Sequence, residues 1–190
     1  MGQLGALKDD DDSRQARLTL MSQLTALLVL KPAEVESVKK KIYEDSPAHQ
    51  AATLIGALAN AETPQAQGAL AGLAADSVVD GEKRAMALGL LRLAKEPSAQ
   101  ATETAQRLMD EDGDLGNTAK LAVGNMAAGL ARAGDDRGND LVDTLIARYN
   151  AATSIEERAL LIDACGGTSS EAPDGLDAAI SHREASSAAS

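Results

Sequence analysis

Carboxylates supply most of the reactive side chains in this chain. Its 190 residues carry 29 Asp and Glu against 18 Lys and Arg, with two His, one Cys, two Tyr and neither Phe nor Trp. The densest acidic motif, DEDGDLG from Asp110 to Gly116, spaces Asp110, Asp112 and Asp114 so that their oxygens could face a hard cation such as calcium. A helix–loop–helix calcium loop also needs Gly at its sixth position and a bidentate Glu at its twelfth. Counted from Asp110, those places hold Leu115 and Leu121. The motif fits a solvated turn whose acids favour the next helix N-terminus better than it fits a cation cage. The tetra-Asp run Asp9 to Asp12 reads the same way, as a leader before a first helix that Ser13 could cap.

Covalent and acid–base catalysis need a nucleophile beside a base, and the inventory for that is thin. His49 stands near the start of one helical segment, His182 near the C-terminus, and Cys165 far from both in sequence. Cys165 has no neighbouring Cys or His to complete a zinc site, and a small core residue is the simpler account of it. No enzymatic activity and no cofactor are expected. Binding is the remaining class, and the residues suited to it are the two tyrosines, Tyr43 and Tyr149, with the basic side chains Lys39, Lys40, Arg107 and Arg148 near them or on equivalent segments.

The elements that must position these residues are helices. Ala and Leu dominate, while the β-branched and aromatic residues that favour strands are sparse, so the chain is all-α with an aliphatic core. A net charge of −11 opposes binding to nucleic acid and to anionic membranes, and no basic stripe offsets it. The most apolar stretch, Leu18 to Leu30, is interrupted by Thr19, Ser22, Gln23 and Thr25. It is too polar for a membrane span, and no signal peptide is visible at the N-terminus. No compartment follows from these features.

The chain repeats itself. TLMSQL at Thr19 is followed 34 residues later by TLIGAL at Thr53; Gly56 and Gly89 are 33 apart, as are Pro64 and Pro97, and Gly124 follows after 35. Each unit reads as two helices. The first is apolar over more than one stripe, as in Leu88, Leu90, Leu91 and Leu93, and forms an inner layer. The second is opened by Pro32, Pro64, Pro97 or Pro173 and carries a narrower stripe, such as Val35, Val38 and Ile42. Mid-helix glycine costs about 1 kcal/mol relative to Ala, so Gly56, Gly89 and Gly124 are expected where a neighbouring helix approaches closely.

Tandem helical pairs with this period predict a right-handed α-solenoid of about five hairpins. On these residues the chain resembles the HEAT-like repeat proteins; it lacks the Trp, Leu-Gly, Tyr series of tetratricopeptide repeats and the TPLHxA of ankyrin. The last third, AKLAVGNMAAGLA and then LVDTLIARYNAATSIEERALLIDACGG, is also similar to the helical superhelix of large lipid transfer proteins and their bacterial relatives. DACGG departs from the Leu-Gly-Asn-Ala-Gly-like turn of that family, and lipid carriage is not implied, because nothing here resembles the family's β-sheet domains.

The organisation expected is an acidic leader over residues 1–13, the solenoid over 14–184, and a Ser/Ala-rich tail over 185–190. The function expected is a non-enzymatic protein-interaction or scaffold module, part of a larger polypeptide or assembly, with a protein partner that could be basic. The alternatives are a structural helical segment of a lipid-carrier-like protein and a relative of HEAT-like DNA glycosylases. The acids at Asp9 to Asp12, Glu44 and Asp45, Asp76 and Asp80, Asp110 to Asp114, and Glu156 and Glu157 all flank connections between units. Stacked along one edge, they would attract a basic partner or divalent cations, or would serve only helix N-termini and solubility.

Overall fold

The computed structural model describes residues 11–44 and 46–166. The described residues form nine helices and no strand: α1 (Asp11–Leu30), α2 (Glu34–Tyr43), α3 (Ala48–Ala61), α4 (Pro64–Ala75), α5 (Gly81–Leu91), α6 (Ala99–Leu108), α7 (Gly113–Arg132), α8 (Arg137–Ala151) and α9 (Ile155–Gly166). The all-α expectation is met. Pro173 and the fifth second helix it was expected to open, His182, Asp9, Asp10, Asp45 and the 185–190 tail lie outside the described residues.

Local chemistry accounts for most of the boundaries. The Thr63 hydroxyl accepts from Ala66 N–H at 3.2 Å and Pro64 occupies the first turn of α4, where its missing N–H costs nothing. The Asp80 carboxylate accepts from the Glu82 and Lys83 N–H groups at 2.9 and 3.4 Å, and the Ser98 hydroxyl accepts from Ala101 N–H at 3.2 Å. At the far end of α7 the chain turns through Gly134 at φ +72°, a left-handed conformation that glycine adopts without a Cβ clash. There the Gly134 N–H donates to Ala131 and the Asp135 N–H to Leu130, which satisfies two carbonyls of the last turn. Ser13 is no cap. Helix α1 as described runs through Ser13, from Asp11.

The odd-numbered helices pack serially, α1 on α3, α3 on α5, α5 on α7 and α7 on α9, while α2 packs on α4 and α4 on α6. Their interface is a continuous aliphatic core, with Leu54, Ile55 and Leu58 from α3, Leu70 and Leu73 from α4, Leu88 and Leu91 from α5, and Met126 and Leu130 from α7 fully buried. Alanine fills the gaps between them, as Ala51, Ala57, Ala66, Ala69, Ala71 and Ala74 are also buried. Without aromatic residues, such a core gains contact by bringing backbones close together.

One expectation about layering is corrected. The second helices are not uniformly the less buried: α4 is covered by α2, α3, α5 and α6, and its Ala66, Gln67, Ala69, Leu70, Ala71, Leu73 and Ala74 are all buried. The first helices are covered on more than one side: α5 packs on α3, α4 and α7, with Leu88 and Leu91 buried, and Leu93, 62% exposed, lies beyond its end. The glycines divide as well. A Cβ on Gly124 would fall on the Ala164 carbonyl of α9, and one on Gly56 would meet the Met21 sulfur of α1 at 2.8 Å, whereas one on Gly89 would meet nothing within 4 Å. Close approach explains Gly124 and, against a flexible side chain, Gly56; it does not explain Gly89.

Candidate functional site

The acidic connections are stitched to their neighbours. Where α2 ends, the Tyr43 hydroxyl donates to Asp76 Oδ2 at 2.9 Å, and Asp76 Oδ1 accepts from Val78 N–H at 3.0 Å. The Val78 N–H first, then the Tyr43 hydroxyl, hold the Asp76 carboxyl below its ordinary range. Burial, reinforced by Asp76, pushes the Tyr43 phenol up to about 12. At the next connection the Arg148 guanidinium reaches Asp110 Oδ1 at 2.6 Å, and Arg84 stands 3.6 Å from Glu111. One step further, Lys120 lies 3.4 Å from Glu157. Lys41 holds the exposed Glu44 carboxyl below its usual value through a direct hydrogen bond.

Bases from other helices thus engage Asp110, Glu111 and Glu157 of the expected acidic edge. The three candidate metal ligands are not brought together for one ion. Asp110 is engaged by Arg148, Asp112 is the N-cap residue of α7 with no side-chain capping bond, and Asp114 lies in that helix's exposed first turn. Among the described residues, no group of three His, Cys, Asp or Glu side chains is placed to hold a metal ion.

The partner-binding candidates divide in the same way. Tyr43 and Arg148 tie neighbouring units, Lys39 sits 3.9 Å from Glu36 and over Gly72 of α4, and Tyr149 lies beneath the Arg158 guanidinium, 6.0 Å from ring centre to charge. Lys40 and Arg107 are exposed on α2 and α6. His49, in α3, lines a shallow cavity against α1 with Arg14, Arg17 and Met21. Cys165 is half-buried in α9, where burial raises its thiol above the ordinary value. The fold does not bring these two residues together.

Sequence reasoning missed the most buried polar tie. Gln67, 6% exposed in α4, donates through Nε2 to the Glu96 carbonyl at 3.1 Å and accepts at Oε1 from Ser98 N–H at 2.7 Å, fastening the α5–α6 connection to the core. A glutamine within the Ala-rich run PQAQGALAGLAA was the available signal, since a polar side chain on a buried face needs partners. Also passed over were Arg92, Lys95 and Arg132, which the fold gathers at one end of the α5–α7 pair. Among the described residues no helix is long and apolar enough to cross a membrane. Compared with models of protein families, with curated proteins and with solved structures, the chain matches none.

Proposed function

We propose that the chain is a non-enzymatic protein-interaction or scaffold module, built as a right-handed α-solenoid of about five HEAT-like hairpins within a larger polypeptide or assembly. The observation that carries this is the spacing of its polar ties. Thr25 to Ala57 spans 32 residues, Tyr43 to Asp76 spans 33, and Gln106 to Thr144 and Arg148 to Asp110 each span 38. Each is about one repeat, so residues of one hairpin fasten the next. Tied hairpins present a stiff, extended surface to a partner, which is the use such arrays are suited to.

Lys40 on α2 and Arg107 on α6, both exposed, are the side chains we assign to partner contact. The test is affinity capture from the native organism with the full chain and with K40E/R107E, both checked for equal helicity. Partners retained by the wild-type chain and lost with the variant support the proposal. Identical capture profiles overturn the assigned face, and measured DNA binding that weakens steeply with salt would transfer the chain to the glycosylase-like alternative. Lipid that copurifies and is identified by mass spectrometry would transfer it to the lipid-carrier alternative.

A further inference from the structure

Among the described residues, the layer of odd-numbered helices is open at both ends. Helices α3, α5 and α7 each pack between two odd-numbered neighbours, whereas α1 has α3 and α9 has α7 as its one principal neighbour in that layer. Neither end is finished with the charged side that a solvent-facing helix of such an array ordinarily carries. In α9, Leu161 and Ala164 are buried, while Ile155, Ala159, Ile162 and Gly166, spaced four, three and four residues apart, form an exposed stripe on the opposite side. Ile155 is 82% exposed and Ile162 56%. In α1, Leu28 is buried, while Leu18, Ser22, Ala26 and Val29 share an exposed face. No charged residue occurs from Leu18 to Leu30.

The two stripes fit each other in shape and in charge. Val29 follows Leu18 by eleven residues, as Gly166 follows Ile155. Laid parallel with Ile155 level with Leu18, α9 of one chain sets Ile162 in the notch between the small residues Ser22 and Ala26 of another, and bare Gly166 opposite Val29. A Cβ at Gly166 would meet nothing within its own chain, so the space beside it is open to that side chain. From Arg14 to Leu30, α1 carries two arginines and no acid, while α9 carries three acids and one arginine. In the parallel arrangement Arg14 and Glu156, both exposed, fall on the same flank of the contact. Asp12 lies about 10 Å along the axis from the level of Glu156, beyond the end of the shorter helix.

We propose that these faces meet between copies of this chain: α9 of one copy lies on the Leu18 to Val29 face of α1 of the next, and the odd-numbered layer continues from chain to chain. The two surfaces differ, so the contact is head to tail and leaves a free face at each end, which makes an open series rather than a closed dimer. The contact does not depend on the scaffold role.

The test is sedimentation velocity of the full chain from micromolar to near-millimolar concentration, with reductant present so that Cys165 forms no crosslink. The mean mass should rise continuously with concentration. I162D and V29E, each matched to the parent in helicity, should stay monomeric alone. Mixed in equal amounts they should give a dimer and nothing larger, because one keeps the α1 face and the other the α9 face. E156R and R14E should each weaken association several-fold, and mixing them should restore it, since each reversed charge then meets its opposite. A parent chain that stays monomeric throughout, as it would if its own residues 167–190 or an unrelated protein cover α9, overturns the proposal. So does a parent that stops at a dimer, V29E that associates as the parent does, or a mixture of I162D and V29E that remains monomeric.

Discussion

Gly89 in α5 and Gly124 in α7 are both helical glycines, yet alanine should act on them in opposite directions. At Gly124 the new methyl would fall on the Ala164 carbonyl, with the carbonyl carbon at 2.6 Å and Cα at 3.1 Å. No side chain can rotate away, so α9 must move off α7. Overpacking typically costs about 1–3 kcal/mol and a backbone clash belongs at the upper end, while alanine returns about 1 kcal/mol of helix propensity. The net loss for G124A is about 2 kcal/mol. In a chain of this size that lowers Tm by about 4–8 °C. At Gly89 nothing opposes the methyl, so only propensity acts, and G89A should gain up to about 1 kcal/mol, or about 2–4 °C. Urea unfolding followed by circular dichroism at 222 nm measures both, with hydrogen exchange in α9 reporting its release in G124A. If G124A is as stable as the parent, or G89A is less stable, the assignment of these glycines to a closed and an open neighbour is wrong.

Tyr43 and Tyr149 are the only aromatic residues, so in a Y149F background absorbance at 295 nm reads Tyr43 alone. Its midpoint should lie at about 12, and D76N should lower it only part of the way to 10.0, because burial is the larger cause. The sign for stability follows: the raised phenol stabilises the fold below pH about 10 and that contribution fades toward pH about 12, whereas the lowered Asp76 carboxyl contributes above its ordinary value of 3.8 and loses it in acid. D76N should therefore flatten the acid limb of a stability–pH curve. Q67L keeps a similar volume but strands Ser98 N–H and the Glu96 carbonyl, and should cost about 1–3 kcal/mol in urea unfolding. A double-mutant cycle with D110N and R148A should give a coupling below about 1 kcal/mol that disappears in molar salt, as Asp110 is largely exposed.

Much of the fold was legible because helices are specified locally. Ala and Leu content, the proline at the first turn of α4, and the caps Thr63, Asp80 and Ser98 act within a few residues of chain, and the expected Pro-opened helices stand at α2, α4 and α6. The acidic edge was legible only as a list of charges. Which base answers which acid depends on side chains some 27–38 residues away, as with Arg84 and Glu111 or Arg148 and Asp110.

Composition thus determined by itself that this chain is helical and aliphatic in its core. Those properties arise from backbone preference and from burial of one apolar face, both short-range in sequence. Tertiary structure alone decided which faces stay open. Gly56, Gly89 and Gly124 look alike in sequence and differ by whether a side chain, nothing or a backbone carbonyl stands opposite. Arg92 and Arg132 read as ordinary helix-end bases until α5 and α7 are set side by side, and only then do they line one cavity. The physical reason is common to both cases: packing distance and dielectric environment belong to the space between helices, and no single helix encodes that space.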